Sequence, residues 1–429
     1  MTSMEKAGMA WFEEARLGLF VHWGHYAAAG WEASWPLVGG VATLPHGQQL
    51  TVEDYHANAR RFRPDPNAPA EWIAAAARAG MRYAVMTTRH HDGFSLWPTR
   101  QSDFHIGLGG YAGDPVREYV EACRAHGLKV GFYYSLPDWR HPDYPAFTEA
   151  DKPYVFGRYP AASPEQWGRY RAYLEGQLTE LLTDYGPIDI LWFDGGWERD
   201  ADAWDCSAIE ALARSLQPGI LINDRLPGRG DYATPEQFIP PTPPEGPWET
   251  CLTMNESWGF NPNDGAYKSE ISLVHTIAEV AGRGGNLLLN VSPDGKGHLI
   301  PEQTRRLETI ARWSERHAEA VFATQPGLEP WQFYGPTTRR GNTVYLHLLM
   351  RPVAAVAVRG VPVRHVQRVR NVGTGRQLAF TTRVPVLDTL FGTDGPGELT
   401  IEVPEAELDP VATVLAIEFD QLEAPSDVS

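Results

Sequence analysis

The 429-residue chain has a formal net charge of −17, three cysteines and ordinary fractions of charged and apolar residues. Its length predicts one large domain of barrel size plus one accessory domain. The acidity argues against nucleic acid or an anionic membrane as a partner, because both require basic surfaces. The odd, widely spaced cysteines (Cys123, Cys206 and Cys251) indicate neither a disulfide framework nor a zinc site.

Residues 1–19 carry several charged side chains and lack the apolar core of a signal peptide, so we expect a cytoplasmic protein. No apolar run approaches the ~18–20 residues that a membrane-spanning helix needs. The sequence leaves the formation of a homo-oligomer open.

Predicted strands and helices alternate from residue 17 to about residue 320. The strands are expected at 18–23, 83–88, 128–134, 188–193, 219–222, 248–254 and 286–291. The helices are expected at 70–79, 115–126, 164–185, 203–216, 271–281 and 301–317, and a Gly/Pro-rich loop at 226–247. This alternation predicts an α/β fold with a degenerate (β/α)8, TIM-like barrel. Polar residues cluster after the strands, at the end where barrel enzymes carry their active sites.

From about residue 331 the pattern changes to short alternating strands separated by turn residues, which is typical of an antiparallel β-sandwich. These strands are expected at 344–349, 354–359, 367–371, 378–383, 399–403 and 412–419. The segment has no clustered histidines or carboxylates, which indicates a packing role. The predicted domains are a catalytic barrel at 1–328, a sandwich at 329–422 and a flexible tail at 423–429.

Asp194 is the strongest candidate for a reactive group. It ends a buried apolar run and precedes Gly195 and Gly196, which places its carboxylate at the carboxyl end of a strand. An aspartate that caps the next turn is the structural alternative. The functional interpretation is favoured because His22, the pair His90–His91 and the triplet 223–225 occupy equivalent strand ends.

The three histidines allow two kinds of site. Neutral imidazoles donate to or accept from sugar hydroxyls, and they also ligate metals. Against a metal, the first strand has no His-x-His motif and there is no third clustered carboxylate. A metal-dependent hydrolase built on His22, His90 and His91 stays an alternative, as does a non-catalytic sugar-binding barrel.

Two further acids, Glu236 and Glu249, follow Arg225 in the sequence. Glycosidic bond cleavage needs two carboxyl groups with different roles, about 5–5.5 Å apart when the configuration is retained. Fifteen tryptophans, several of them beside polar residues, also suit a sugar, because aromatic faces pack on its C–H faces.

Together these motifs resemble the α-L-fucosidases of glycoside hydrolase family 29. The resemblance is carried by LFVHWG (19–24), TTRHHDGF (87–94), LWFDGG (191–196), NDR (223–225), WETC (248–251), SWGF (257–260) and GGNLLLNV (284–291). These ordered blocks cover nearly the whole first domain.

The resemblance implies a retaining exo-hydrolase that removes terminal α-L-fucose from oligosaccharides or glycoconjugates without a metal or other cofactor. It identifies Asp194 as the nucleophile and implies Glu236 as the first choice for the acid/base, with Glu249 as the second. The residues that it implies around the fucose are His22, Trp35, His90, His91, Tyr134, Trp192, Arg225 and Trp258. Loops 38–50, 140–165 and 226–247 are expected to shape the leaving-group side.

The sequence departs from the family pattern at Ser34, where many relatives have glutamate; Glu32 lies two residues earlier. One contact to a sugar hydroxyl is therefore expected to be lost or moved. The His-His-Asp-Gly form at 90–93 resembles the branch that prefers α-1,3 and α-1,4 linkages.

Overall fold

The computed structural model describes residues 3–39, 50–393 and 395–422. Within them, one sheet contains seven parallel strands, in the order β5-β4-β3-β2-β1-β7-β6. The strands are β1 (Leu17–Val21), β2 (Tyr83–Arg89), β3 (Lys129–Ser135), β4 (Ile190–Asp194), β5 (Leu221–Ile222), β6 (Glu249–Thr253) and β7 (Asn286–Val291). The predicted tail 423–429 and most of loop 38–50 lie outside the described residues.

Residues 232–236, here called the closing segment, fill the gap between the edge strands β5 and β6. Tyr232 pairs in parallel with Asn223 beside β5, and Glu236 pairs in parallel with Cys251 of β6. The curved sheet therefore closes into the predicted degenerate barrel, although the sequence predicts only a loop at this position.

Helices cover the outside of the barrel, and several begin at residues that are favoured at the N-terminus of a helix. They are α1 (Ser3–Ala15), α2 (Trp35–Val38), α3 (Val52–Ala57), α4 (Ala68–Arg78), α5 (Pro115–Ala125), α6 (Pro164–Thr183), α7 (Ala201–Trp204), α8 (Cys206–Leu216), α9 (Glu270–Gly282) and α10 (Pro301–His317). Ser163 and Gln166 form a capping box before α6, and the Asp114 side chain accepts from the Arg117 N–H at the start of α5. The predicted helix 203–216 is divided at Asp205, whose φ of 56° is incompatible with a continuous helix.

Helix α1 closes the amino end of the barrel. Its Phe12 ring lies 4.5 Å from the Tyr232 ring and 5.9 Å from the Tyr83 ring, measured between centroids. Phe12 and Tyr83 are almost fully buried, in the same apolar interior that contains Trp192. Since aromatic side chains of the described residues fill this end, the opening for a ligand lies at the carboxyl end of the strands.

The second domain is the predicted β-sandwich. One sheet contains β8 (Gln325–Pro326), β9 (Thr337–Arg340), β10 (Thr343–Leu348), β12 (Val366–Asn371) and β15 (Thr413–Phe419), and the other contains β11 (Ala355–Val361), β13 (Phe380–Arg383) and β14 (Gly397–Glu402). Apolar side chains of both sheets form a core of their own, among them Leu346 and Leu415 against Val358 and Ile401. A short helix, α11 (Val386–Phe391), follows β13.

The sandwich also packs on the barrel. Residues Val414 and Ala416 of β15 point away from the sandwich core and join the apolar layer around α10. The Trp313 Nε1 of α10 donates to the Ala412 carbonyl oxygen at 2.9 Å. β8 already belongs to the second domain's sheet, so the chain passes from one domain to the other close to residue 328. The division of the domains at residue 328 itself stays a prediction. Among the described residues, no helix is both long and apolar enough to cross a bilayer.

Candidate active site

A cavity of about 280 Å³ opens at the carboxyl end of the barrel strands. Its lining consists of Phe20, His22, Trp35, His90, Tyr133, Phe156, Trp192, Asp194, Trp197, Arg225, Glu236, Cys251 and Trp258. Most of the candidate residues named from the sequence thus line one pocket, whose size is near the lower end for small-molecule sites.

Asp194 is the last residue of β4 and lies in this pocket. The Tyr133 hydroxyl donates to Oδ2 at 2.8 Å, and Arg225 Nη1 donates to Oδ1 at 3.1 Å. His91 Nε2 lies 3.6 Å from Oδ2. These neighbours fix the orientation of the carboxylate. Asp194 is 8% exposed as a whole residue, and it lines the pocket.

The turn after Asp194 requires glycine. Gly195 has a φ of 77°, and a Cβ at this position would collide with the Pro137 ring. The tight turn ends β4 directly after the carboxylate.

Arg225 connects Asp194 with Glu236. Its Nη2 donates to Glu236 Oε2 at 2.6 Å, while Nη1 donates to Asp194, and its guanidinium lies 4.7 Å above the Trp192 ring. The Glu236 side chain is 39% exposed against 11% for Asp194, so Glu236 lies nearer the mouth. A bound ligand can therefore meet one carboxylate at depth and the other at the entrance.

Glu249 does not line the pocket. It is fully buried in the barrel interior, where Trp192 Nε1 donates to Oε1 at 3.0 Å and the Tyr83 hydroxyl donates to Oε2. Burial raises the pKa of this carboxyl to about 7. Glu249 precedes the pocket residue Cys251 by two positions on β6, so both face inward, but Glu249 lies one layer deeper. As the second choice for the acid/base it is thus misplaced, because Trp192 separates it from the pocket.

In each of the three histidines of the site, one ring nitrogen is hydrogen-bonded to a neighbouring side chain. The Nδ1 atoms of His22, His90 and His91 lie 2.8 Å from Asn290 Oδ1, 2.6 Å from Ser34 Oγ and 2.8 Å from Ser135 Oγ. Burial lowers the pKa of each imidazole to about 3, which keeps the rings neutral. His91 Nε2 is buried next to Asp194 and has no hydrogen-bond partner within the described residues. Neutral rings held in this way can donate to or accept from the hydroxyl groups of a ligand.

Tyr133, not the predicted Tyr134, faces the pocket. Successive residues of β3 point to opposite sides of the sheet, so only one of the two can do so. The Tyr134 hydroxyl donates to Gln177 Oε1 on α6 at 2.9 Å, and its ring lies 4.3 Å beneath the Arg89 guanidinium. Tyr134 is therefore a structural residue of the sheet–helix layer.

Trp258 is held by Glu32. The backbone N–H groups of Trp258 and Gly259 donate to the Glu32 carboxylate at 2.7 and 2.8 Å, and the Trp258 ring lies 5.0 Å from the His22 ring. Glu32 is not among the pocket residues, and burial raises its pKa to about 8. Since Ser34 is committed to His90, neither residue presents a group to the ligand where many relatives carry glutamate.

No three side chains of His, Cys, Asp or Glu converge on a point that could hold a metal ion, within the part of the chain that the structure describes. The alternative based on His22, His90 and His91 thus lacks a converging ligand set there.

Several pocket residues were not predicted, namely Phe20, Tyr133, Phe156, Trp197 and Cys251. Phe20 and Cys251 could have been found by strand alternation, since each lies two residues from an inward-facing candidate. Phe156 lies in loop 140–165, which was expected to shape the leaving-group side, but no pattern in the sequence singles out this residue within the loop.

The chain is similar to known proteins of one family. The family model described as "Alpha-L-fucosidase" matches residues 1–319. The structure of alpha-L-fucosidase isoenzyme 1 from Paenibacillus thiaminolyticus superimposes with a TM-score of 0.83 and 32% identity, covering 98% of this chain and 100% of that one. The tissue alpha-L-fucosidase of Homo sapiens is 28% identical over 437 residues, covering 92% of this chain and 85% of its own.

A further similar structure is described as a trapped covalent intermediate. It is an alpha-L-fucosidase GH29 from Bacteroides thetaiotaomicron in complex with 2-fluoro-fucosyl fluoride, with a TM-score of 0.80, 25% identity and 96% coverage of both chains.

Proposed function

This chain belongs to the α-L-fucosidase family, and from that premise we propose that it hydrolyses α-L-fucosides by double displacement through Asp194. It is a glycoside hydrolase whose substrates are fucosylated glycans. One observation carries the proposal: Arg225 holds the carboxylates of Asp194 and Glu236 in one pocket. Two carboxyl groups beside one anomeric carbon are what this reaction requires.

In the first step, Asp194 attacks the anomeric carbon and forms an ester, while the bond from that carbon to the leaving oxygen breaks. Glu236 gives its proton to the leaving oxygen, which departs as an alcohol. In the second step, Glu236 takes a proton from water, the oxygen of that water attacks the anomeric carbon, and Asp194 departs as a carboxylate. Two inversions retain the configuration. The covalent intermediate of the Bacteroides relative supports this sequence.

The pocket walls divide the recognition of fucose between polar and apolar contacts. The neutral rings of His22 and His90 line the pocket and are available to the hydroxyl groups, whereas His91 is fully buried beside Asp194 and is not among the lining residues. The rings of Trp35 and Trp258 suit the sugar ring and its C5 methyl group. An apolar contact with one methyl group discriminates by only about 1–3 kcal/mol, so the hydroxyl contacts supply most of the selectivity.

The preference for α-1,3 and α-1,4 linkages stays a prediction. Asp92, which gives the motif its Asp form, is 1% exposed, and its carboxylate accepts from the Tyr55 hydroxyl at 2.8 Å. The Asp92 carboxylate does not line the pocket, and its contact with Ser34 is a backbone one, because the Asp92 N–H donates to Ser34 Oγ.

Replacement of the nucleophile tests the proposal. Asp194→Gly should lower kcat on an aryl α-L-fucoside by about 10³-fold or more, since no group remains to form the ester. Azide should restore turnover and yield the azide of inverted configuration. Asp202→Ala, at an exposed site on α7, is the matched control and should keep full activity.

Activity of Asp194→Gly at the level of the unmodified protein would contradict the proposal. Two further outcomes identify the alternatives. Loss of activity on treatment with a chelator would indicate the metal-dependent hydrolase, and fucose binding without turnover of any fucoside would indicate a sugar-binding protein.

A further inference from the structure

Two aromatic side chains stand at the open end of the pocket. Phe156 is 60% exposed and Trp197 is 39% exposed, whereas Phe20 and Trp192 in the same pocket are only 1% and 2% exposed. The ring centroids of Phe156 and Trp197 lie 6.0 Å apart. The pocket thus has a closed aromatic end and an aromatic rim, which we call the rim pair (Phe156 and Trp197).

A buried hydrogen-bond network fixes the orientation of the Trp197 ring. Its Nε1 donates to the Tyr154 hydroxyl at 3.0 Å, and that hydroxyl donates to Glu198 Oε1 at 2.7 Å. Glu198 is buried and also accepts from Trp139 Nε1 at 2.9 Å. An exposed indole held by a buried hydrogen-bond network is preorganised for contact with a ligand, since little side-chain freedom is left to lose on binding.

The position of the rim pair agrees with the chemistry of an exo-acting glycosidase. The fucosyl ring must reach Asp194 at depth, and its leaving oxygen must reach Glu236, the more exposed carboxyl group. The group attached to that oxygen therefore lies at the mouth, where the rim pair stands.

Building on the function proposed above, we propose that Phe156 and Trp197 form a binding site for the leaving group, an uncharged pyranose whose C–H face packs on their rings. We infer that the leaving group is uncharged from the residues that line the pocket. Among the described pocket residues Arg225 is the sole permanent cation, and it is committed to Asp194 and Glu236. Among these lining residues, an anionic leaving group would find no free counter-charge.

Substrates with and without a leaving-group ring test this site. Phe156→Ala and Trp197→Ala should each lower kcat/KM for an α-L-fucosyl-galactose disaccharide by about fivefold to tenfold, the size expected for one aromatic contact. Both should hydrolyse α-L-fucosyl fluoride within about twofold of the unmodified protein, because fluoride offers no ring to bind. Trp331→Ala and Phe391→Ala, at exposed positions of the second domain, should leave both substrates unaffected.

The comparison of the disaccharide with the fluoride distinguishes leaving-group binding from other roles of the two rings. An equal loss on disaccharide and fluoride would overturn the proposal, since the rings would then hold the fucose or the fold, and an unchanged disaccharide rate would overturn it as well. Trp197→Phe keeps a ring and should retain most of the disaccharide activity, which protects the test if the alanine variant is unstable. If the unmodified protein cleaved neither substrate, the proposed function itself would fail.

Discussion

Arg225 sets the relation between the two carboxylates of the site. Its planar guanidinium donates from one terminal nitrogen to Asp194 and from the other to Glu236, while its face rests on Trp192. Lysine could not replace it, because a single ammonium lacks the fork that reaches two acceptors in fixed directions. The same side chain thus orients the nucleophile and the group that is proposed to move the proton.

Glutamine variants of the two glutamates should behave differently. Glu236→Gln should lower kcat/KM by about 10²- to 10⁴-fold on a substrate with a sugar leaving group and far less on α-L-fucosyl fluoride, which needs little protonation. Glu249→Gln should lower both rates to a similar, smaller extent, since Glu249 supports Trp192 from beneath the pocket. The leaving-group dependence of the two variants is the measurement, and a reversed pattern would assign the acid/base to Glu249.

Most of the site could be predicted at the residue level, because polar residues at the ends of buried strands are visible in the sequence. The assignment of Tyr134 was wrong because β3 is buried on both faces, so its apolar pattern does not reveal which tyrosine points inward. The depth of Glu249 was equally hidden, since alternation gives the face of a strand but not the layer within a barrel.

At the level of elements, the closing segment decides the position of Glu236. Residues 232–236 pair with β6 on one side and with Asn223 on the other, although their sequence, YATPE, carries a proline. Proline is disfavoured within central strands, so sequence patterns predict a loop here. The barrel strands and the helices α4 to α10 were predictable because they have regular apolar periodicity and clear end signals, whereas α1, α2, α3 and α11 were missed.

The turn that ends β4 gives a prediction with an internal control. Gly195→Ala should destabilise the protein by about 1–2 kcal/mol or more, from the left-handed φ and the collision with Pro137, and should lower kcat by displacing Asp194. Gly168→Ala in α6, where a methyl group has free space, should instead stabilise it by about 0.5–1 kcal/mol. Urea unfolding measures both changes, and equal signs for the two would contradict the argument.

In the whole molecule, the two domains share part of their packing. Residues of β15 alternate between the sandwich core and the layer around α10, and Trp313 is hydrogen-bonded across the boundary. We therefore expect barrel and sandwich to unfold in one transition, so that buried titratable groups of both domains affect the same free energy of unfolding.

Two such groups should change the pH dependence of stability in opposite directions. Burial lowers the pKa of His347 to about 3, so the unfolded chain binds more protons between pH 3 and 6.5, and stability is lost as the pH falls below 6.5. Burial raises the pKa of Glu32 to about 8, so the folded chain binds more protons between pH 4.5 and 8, and stability is lost as the pH rises.

Free energies of unfolding between pH 5 and 6.5 measure these contributions. His347→Asn should reduce the upward slope of stability with pH, and Glu32→Gln should increase it, each by up to about 1.4 kcal/mol per pH unit. Slopes that do not differ from that of the unmodified protein would show that these groups titrate alike in the folded and unfolded chain.

The strand order also constrains how the barrel forms on the ribosome. β1 is synthesised early, yet its register with β7 joins Leu17 to Leu287, so one edge of β1 stays unpaired until nearly three hundred residues have emerged. The interior that Phe12 closes cannot be completed before then either. Nascent chains therefore expose apolar strand edges for most of translation, and unpaired edges of this kind make incompletely folded chains prone to aggregation.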